Sequence, residues 1–305
     1  MTDKFTRREF LRRAGIAGAA TCGLAIAGDE LLGILQEAEA AGSVLSIASA
    51  GSIEAKVKKA IDGLGGIGKF VKKGKSVVIK PNIAWARAPE VAANTNPQVL
   101  AAIIRLCKQA GAGRITVLDH TCDNWQTAFD LSGAKKVCAD QKVRLVSGHA
   151  KSMYKPVTIP KGKILKADEC AREIMDADCF INVPIAKVHG ASGMTASMKN
   201  LMGTNWDRQS WHRKGLDQCI ADYASAVKPN LIILDAVRIL LTGGPKGPGT
   251  TKDVGQIIAA TDPVAVDAYA AKLLGRNPSQ VGHIAAASKL GLGTMDLAKV
   301  TQKKV

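Results

Sequence analysis

The sequence predicts an α/β fold, a mainly parallel sheet with helices on both faces, and three observations carry that expectation. Short runs of β-branched and aliphatic residues alternate with longer stretches of helical periodicity along the chain. The short runs are apolar throughout rather than at every second residue, as strands covered on both faces must be. No internal repeat, low-complexity tract or linker breaks the alternation, so a single α/β domain from residue 41 to 305 is the simplest account.

Taken in order, Val44 to Ala48 reads as a first strand and Ile53 to Leu64 as a helix. Ser76-Val77-Val78-Ile79 is a strand, and Pro97 to Ala110 a helix with Asn96 as its cap and proline at its first position. Ile115 to Leu118 is a strand, Trp125 to Ala139 a helix, and Val143 to Val146 a strand. Val157 to Leu165 reads as a small hairpin turning at Lys161-Gly162, and Asp168 to Ala177 as a helix. Phe180 to Val183 is a strand, Leu216 to Val227 a helix, and Leu231 to Leu234 and Gln256 to Ala259 are strands. Helices from Pro263 and Pro278 close the chain. The pattern is that of a Rossmann-like three-layer sandwich, with the hairpin and segment 204–214 as insertions.

The first forty residues read as an export signal. Thr6-Arg7-Arg8-Glu9-Phe10-Leu11 is a twin-arginine pattern, a mildly apolar stretch runs from Ala14 to Gly28, and Ala38-Glu39-Ala40 fits a small-residue cleavage site. The expected location is the periplasm or cell exterior, reached folded by the twin-arginine route. No other run has the 18 or so apolar residues that a membrane span needs, so no transmembrane span is expected in the mature chain.

Residues 1–40 hold five Lys/Arg and six Asp/Glu, which leaves 37 basic against 20 acidic residues in the remainder. Such a field favours a small anionic ligand or an acidic protein. Nucleic acid is not expected as a partner, because no recognisable binding motif accompanies the charge. Of the cysteines, Cys107, Cys179 and Cys219 sit in apolar surroundings and read as core residues. There is no CxxC and no CxxCH, which leaves the chain without a haem c or ferredoxin-type cluster motif. The sequence identifies no cofactor.

Two glycine motifs are set aside. Gly63 to Gly68 matches GxGxxG, but it ends a helix and precedes a strand, the reverse of a dinucleotide fingerprint. Gly68 to Ser76 resembles a P-loop with one residue too many, also before its strand.

Ligands of open α/β sheets bind beyond the carboxyl ends of the strands. Polar residues gather there. Lys80 and Asn82 follow one strand; Asp119, His120, Cys122 and Asp123 another; Asn182, Lys187 and His189 a third; Asp235 and the loop Gly243 to Lys252 a fourth; Thr261 and Asp262 a fifth. In a parallel sheet all project from one edge. Trp85, Trp125, Trp206 and Trp211 lie in or just after these segments, and none falls inside an evident core element.

Each residue has an expected part. Lys80, ending a buried strand, meets an anion or pairs with Asp119 or Asp235. Lys187 and Lys199 neutralise a carboxylate or phosphate, and Asn82, Asn182 and Asn200 orient it. Lys199-Asn200 falls on a short helix expected to begin at Thr195, with an N-terminus suited to an anion. His189 or His120 transfers a proton, its tautomer set by Asp119. His120 and Cys122 are a metal alternative, with Asp119, Asp123 or His189 completing the set. Asp262-Pro263 reads as a helix cap, and the loop Gly243 to Lys252 as a lid, a phosphate cradle or plain surface. His149, His212 and His283 have no setting legible in the sequence.

The ordered set Val-Val-Ile-Lys80-Pro81-Asn82, Asn182-Val-Pro-x-x-Lys187-x-His189, Lys199-Asn200-Leu-Met-Gly203 and Asp262-Pro263-Val-Ala-x-Asp267 resembles the family called domain of unknown function 362, over about residues 44 to 275. The resemblance implies an α/β fold and a site at these positions. Members of that family are often joined to ferredoxin-type modules, which implies redox surroundings; this chain lacks such a module. Three readings result: an exported protein with an anion or cofactor site at the sheet edge, a non-catalytic basic protein docking on an acidic redox partner such as an exported cytochrome, and a metal enzyme using Asp119, His120, Cys122 and His189.

Overall fold

A computed structural model describes residues 42–305, so the signal expected over residues 1–40 lies outside the described residues. The strands are β1 (Val44–Ala48), β2 (Ser76–Pro81), β3 (Arg114–Asp119), β4 (Arg144–Ser147), β5 (Tyr154–Thr158), β6 (Ala167–Ala171), β7 (Cys179–Val183), β8 (Ile185–His189), β9 (Gly193–Thr195), β10 (Leu231–Leu240), β11 (Thr251–Ala260) and β12 (Thr301–Lys304). The helices are α1 (Ile53–Asp62), α2 (Pro97–Gln109), α3 (Trp125–Leu131), α4 (Ala134–Asp140), α5 (Arg172–Met175), α6 (Ser197–Asn200), α7 (Gln209–Lys214), α8 (Leu216–Ala226), α9 (Pro263–Leu273) and α10 (Gly282–Lys289).

Ten strands form one sheet, in the order β12-β1-β11-β10-β7-β2-β3-β4, with β8 and β9 attached beyond β10. The pairs β10–β7, β7–β2, β2–β3 and β3–β4 are all parallel. Alternate residues of a strand enter opposite cores: Val78, Leu118 and Ile232 pack on one side, and Val77, Ile79, Val117 and Ile233 on the other. This is why the strands read as continuous apolar runs. The mainly parallel α/β sheet expected from the sequence is therefore what forms.

The starts of α1, α2 and α9 are set by side-chain caps. Ser52 accepts from Ala55 N–H, Asn96 from Gln98 N–H, and Asp262 from the N–H groups of Val264 and Ala265. Gly63 ends α1 as expected of a helix terminator.

Several expectations are corrected. The single helix over 125–139 is two, broken at Gly133, which has φ +77. The helix expected from Asp168 is strand β6, antiparallel to β5, with only the short α5 after it. The hairpin is thus wider than Val157 to Leu165. Asp168 is held there because its carboxylate accepts from Trp211 Nε1 and Asn205 Nδ2. The edge strand β12 is a further element; its Thr-Gln-Lys-Lys sequence is exposed and has no apolar run to betray it.

Strand β11 runs antiparallel to both β10 and β1. Its carboxyl end, with Thr261 and Asp262, therefore lies at the opposite edge from the ends of β2, β3, β7 and β10. Both residues line a separate cavity of about 350 Å³ there.

Candidate functional site

From β2 the chain moves outward through β3 to β4, then returns to β7 on the other side of β2. The sheet order thus reverses between β2 and β7, and a crevice opens beyond their carboxyl ends. Lys80 of β2 lies directly opposite Asn182 of β7. A cavity of about 470 Å³ occupies this edge, lined among others by Lys80, Asn82, Asp119, His120, Cys122, Lys187, His189, Lys199, Asn200 and Arg208.

Its floor is a continuous hydrogen-bonded chain. Lys187 Nζ donates to Asn82 Oδ1 at 2.9 Å, and Asn82 Nδ2 donates to Asn200 Oδ1 at 2.9 Å. Lys80 Nζ donates to the same Asn200 oxygen at 2.8 Å and pairs with Asp119 Oδ1 at 2.8 Å. Asn200 Nδ2 donates to Asn182 Oδ1, and Asn182 Nδ2 to the carbonyl of Ser197. A protonated lysine has no acceptor, so Lys80 fixes the orientation of Asn200, and the order passes from there to Asn82 and Asn182. The network answers why so many polar groups end buried strands: each is satisfied by another.

Asp119 is engaged on both oxygens, since Oδ2 accepts Ile83 N–H at 2.6 Å. It does not orient either histidine, contrary to expectation. Instead His120 Nδ1 lies 3.1 Å from the carbonyl of Asn205. A carbonyl only accepts, so Nδ1 carries the proton and Nε2 is left as an acceptor. His189 is the reverse: its Nδ1 accepts Ala191 N–H at 3.1 Å, which leaves the proton on Nε2. Burial and Arg208 pull His120 down to about 4, and burial with Lys199 and Lys187 pulls His189 down to about 3. Both rings are therefore neutral near pH 7, one an acceptor and one a donor.

The lysines differ. Burial pushes Lys80 down, against the opposing pull of Asp119. Lys187 is 1% exposed and falls to about 7, chiefly through burial, with Lys199 and Lys80 adding repulsion. Lys199 falls to about 8 through burial, then Arg208 and Lys80. Lys187 also donates to the carbonyl of Ala93. Lys199 Nζ has no hydrogen bond or ion pair among the described residues, although the side chain lines the cavity.

The helix carrying Lys199 and Asn200 begins at Ser197, not Thr195, which ends β9. Its N-terminus is already occupied: Ser197 N–H and Met198 N–H donate to the two carboxylate oxygens of Asp267. Asp267 is in turn 3.6 Å from His283 Nε2, and His283 Nδ1 lies 3.4 Å from Asp217. Burial draws the His283 pKa down, but Asp217 and Asp267 outweigh it and the net direction is up.

Asn182 and Asp235 stand behind the cavity wall. Asp235 accepts from Asn96 N–H and Val237 N–H, anchoring the start of α2. Burial nonetheless pushes it up to about 6. Among the described residues no three His, Cys, Asp or Glu side chains form a group that could hold a metal ion, so Asp119, His120, Cys122, Asp123 and His189 are not assembled as a ligand set. Asp123 instead pairs with Lys246 at 2.9 Å. That contact pins the Gly243 to Lys252 loop across the site, with Lys246 Nζ 5.4 Å from the Trp85 ring.

Trp85 lines the cavity and Trp206 stacks on His120 at 5.6 Å, but Trp211 is fully buried in the core, against expectation. Arg208 is the residue that sequence reasoning missed. Its guanidinium donates to the carbonyls of His120 and Thr121 and reaches Cys122 Sγ at 3.5 Å. It lies in segment 204–214, whose two tryptophans were the one signal that the segment returns to the sheet edge.

Comparison with known proteins bears on the same region. Residues 77–272 match the family described as Domain of unknown function (DUF362). A thylakoid-associated protein of Synechocystis is 31% identical over 258 residues, covering 80% of this chain and 76% of the relative. Two solved structures are more distant. One is a structural-genomics protein from Thermotoga maritima, with a TM-score of 0.46 and 12% identity over 73% of this chain. The other is the lactate racemase apoprotein from Thermoanaerobacterium thermosaccharolyticum, with a TM-score of 0.41 and 14% identity over 81% of this chain. The chain spans 59% and 57% of the lengths of those two structures. The family match takes in Lys80, Asn82, Asn182, Lys187 and Asn200, which build the cavity floor, and Asp267, which caps α6, and the chain belongs to the DUF362 family.

Proposed function

We propose that the cavity at the carboxyl edge of the sheet holds a small anionic ligand, a carboxylate or phosphate. One observation carries this reading: Lys199 lines the cavity and has no acceptor among the described residues. A partly buried ammonium without a partner costs free energy that a bound anion recovers. Lys187 is the second cationic partner, and His189 Nε2–H a neutral donor. His120 Nε2 is the group able to take a proton. Lys80, Asn82, Asn182 and Asn200 hold the floor in place rather than meet the ligand with spare capacity. Titration calorimetry with inorganic phosphate tests this. Lys199→Ala is expected to weaken binding at least tenfold while leaving the melting transition in place; equal affinity in the variant removes the reading.

In the same reading the protein acts outside the cytoplasmic membrane as one domain from residue 41 on, exported by the Arg7-Arg8 signal. Among the described residues no helix is long and apolar enough to cross a membrane. Mass analysis of the protein from its native compartment is expected to give an N-terminus just after Ala40; an intact Met1 contradicts export with cleavage. The net charge of +16 favours a second reading, docking on an acidic redox protein. Association through exposed lysines weakens steeply with salt, whereas the cavity ligand responds far less.

A further inference from the structure

Lys187 has features that anion binding alone does not require. Its cross-strand neighbour in β9 is Thr195, and its side chain reaches the cavity. No carboxylate pairs with it, whereas Lys80 has Asp119. Its nitrogen donates to Asn82 Oδ1 and to the carbonyl of Ala93, and to nothing else among the described residues. In the free amine those two acceptors engage both hydrogens, so the lone pair occupies the remaining tetrahedral position. Burial and the neighbouring Lys199 and Lys80 hold Lys187 down to about 7, so a useful share is free amine at neutral pH. A desolvated lysine beside another cation is the environment that activates an amine nucleophile.

We infer that Lys187 is such a nucleophile, and that the ligand of this cavity is a 2-oxo carboxylic acid condensed with it as an imine. The inference rests on the anion-site reading above. Lys199 holds the carboxylate, which places the adjacent ketone carbon toward Lys187. The Lys187 lone pair forms a C–N bond as the carbonyl π pair moves to oxygen, giving a carbinolamine. The C–O bond then breaks, a C=N bond forms, and both amine hydrogens leave with the oxygen as water. Nothing is oxidised or reduced. Oxalate has no ketone carbon to condense with the amine, and it binds by charge alone.

The test traps the adduct on the wild-type chain. Pyruvate, 2-oxoglutarate and phenylpyruvate are each incubated with the protein and sodium cyanoborohydride, and the intact mass and peptide map are read. The expected result is a gain of one 2-oxo acid less one oxygen atom, mapped to Lys187 and suppressed by excess oxalate. Oxalate binding is measured separately by calorimetry. Labelling scattered over exposed lysines, or no labelling, with oxalate still bound, overturns the imine and leaves Lys187 as a cationic anchor. Absence of both labelling and oxalate binding overturns the anion site as well. No variant is needed, so misfolding cannot obscure the outcome.

Discussion

Lys80 Nζ stands 2.8 Å from Asp119 Oδ1, with the two side chains 1% and 2% exposed. The pair joins the ends of β2 and β3 at the floor of the cavity. Removing one member of such a pair strands a buried charge, at a cost of about 3–5 kcal/mol. Asp119→Asn is therefore expected to destabilise by that amount in urea denaturation. Lys80→Met combined with Asp119→Leu recovers part of the loss, but not all, because Ile83 N–H loses its acceptor. A single variant within about 0.5 kcal/mol of wild type contradicts this role.

Gly203 is required by the same pair. A Cβ at this position falls 2.2 Å from Asp119 Oδ1 and 2.7 Å from Lys80 Nζ. Gly203→Ala is expected to push Lys80 and Asp119 apart and lower stability by about 1–3 kcal/mol. Binding of phosphate falls with it. An alanine variant with unchanged melting temperature and affinity shows that the floor can yield, and the close approach does not matter.

Lys187 at about 7 and Lys199 at about 8 give two pH effects of opposite sign. In the unfolded chain a lysine titrates at about 10.4. Between about pH 7 and 10 the unfolded state therefore binds more protons, and the stability of the ligand-free protein rises with pH. Anion affinity falls over the lower part of that window, as the two lysines lose their charge. Asp235, pushed up to about 6, acts in the other direction at lower pH, so melts are compared from pH 7 upward. Affinity that is flat from pH 6.5 to 9 contradicts the assignment.

Asp267 couples the cavity to the second layer of the fold, because it caps the helix that bears Lys199 and Asn200. Asp267→Ala leaves two buried N–H groups without an acceptor, at about 1–3 kcal/mol each. The variant is expected to lose phosphate affinity as well as stability, although Asp267 does not line the cavity. Loss of stability with unchanged affinity in the remaining folded protein limits Asp267 to a structural cap.

The parallel core was legible because β2, β3 and β7 are buried on both faces, and such strands carry an apolar signal at every position. Lys80, Asn82 and Lys187 were legible for the converse reason: polar residues in or just after buried strands need partners. Direction was not. Nothing in Gln-Ile-Ile-Ala-Ala marks β11 as antiparallel, and so Thr261 and Asp262 were expected at the wrong edge. Strand β6 was hidden by Ala-Asp-Glu-Cys-Ala, whose propensity favours a helix, until the contacts of Asp168 with Trp211 and Asn205 overrode it. Arg208 was illegible because its three contacts come from the β3 loop, 86 to 88 residues away in sequence, and an irregular segment carries no periodicity.

The most direct measurement of the central claim is a crystal soaked in sodium selenate, with data collected at the selenium edge. The account predicts an anomalous peak inside the 470 Å³ cavity, within hydrogen-bond distance of Lys199 Nζ and absent from crystals of Lys199→Ala. Peaks confined to exposed surface lysines, with the cavity holding none, would contradict it.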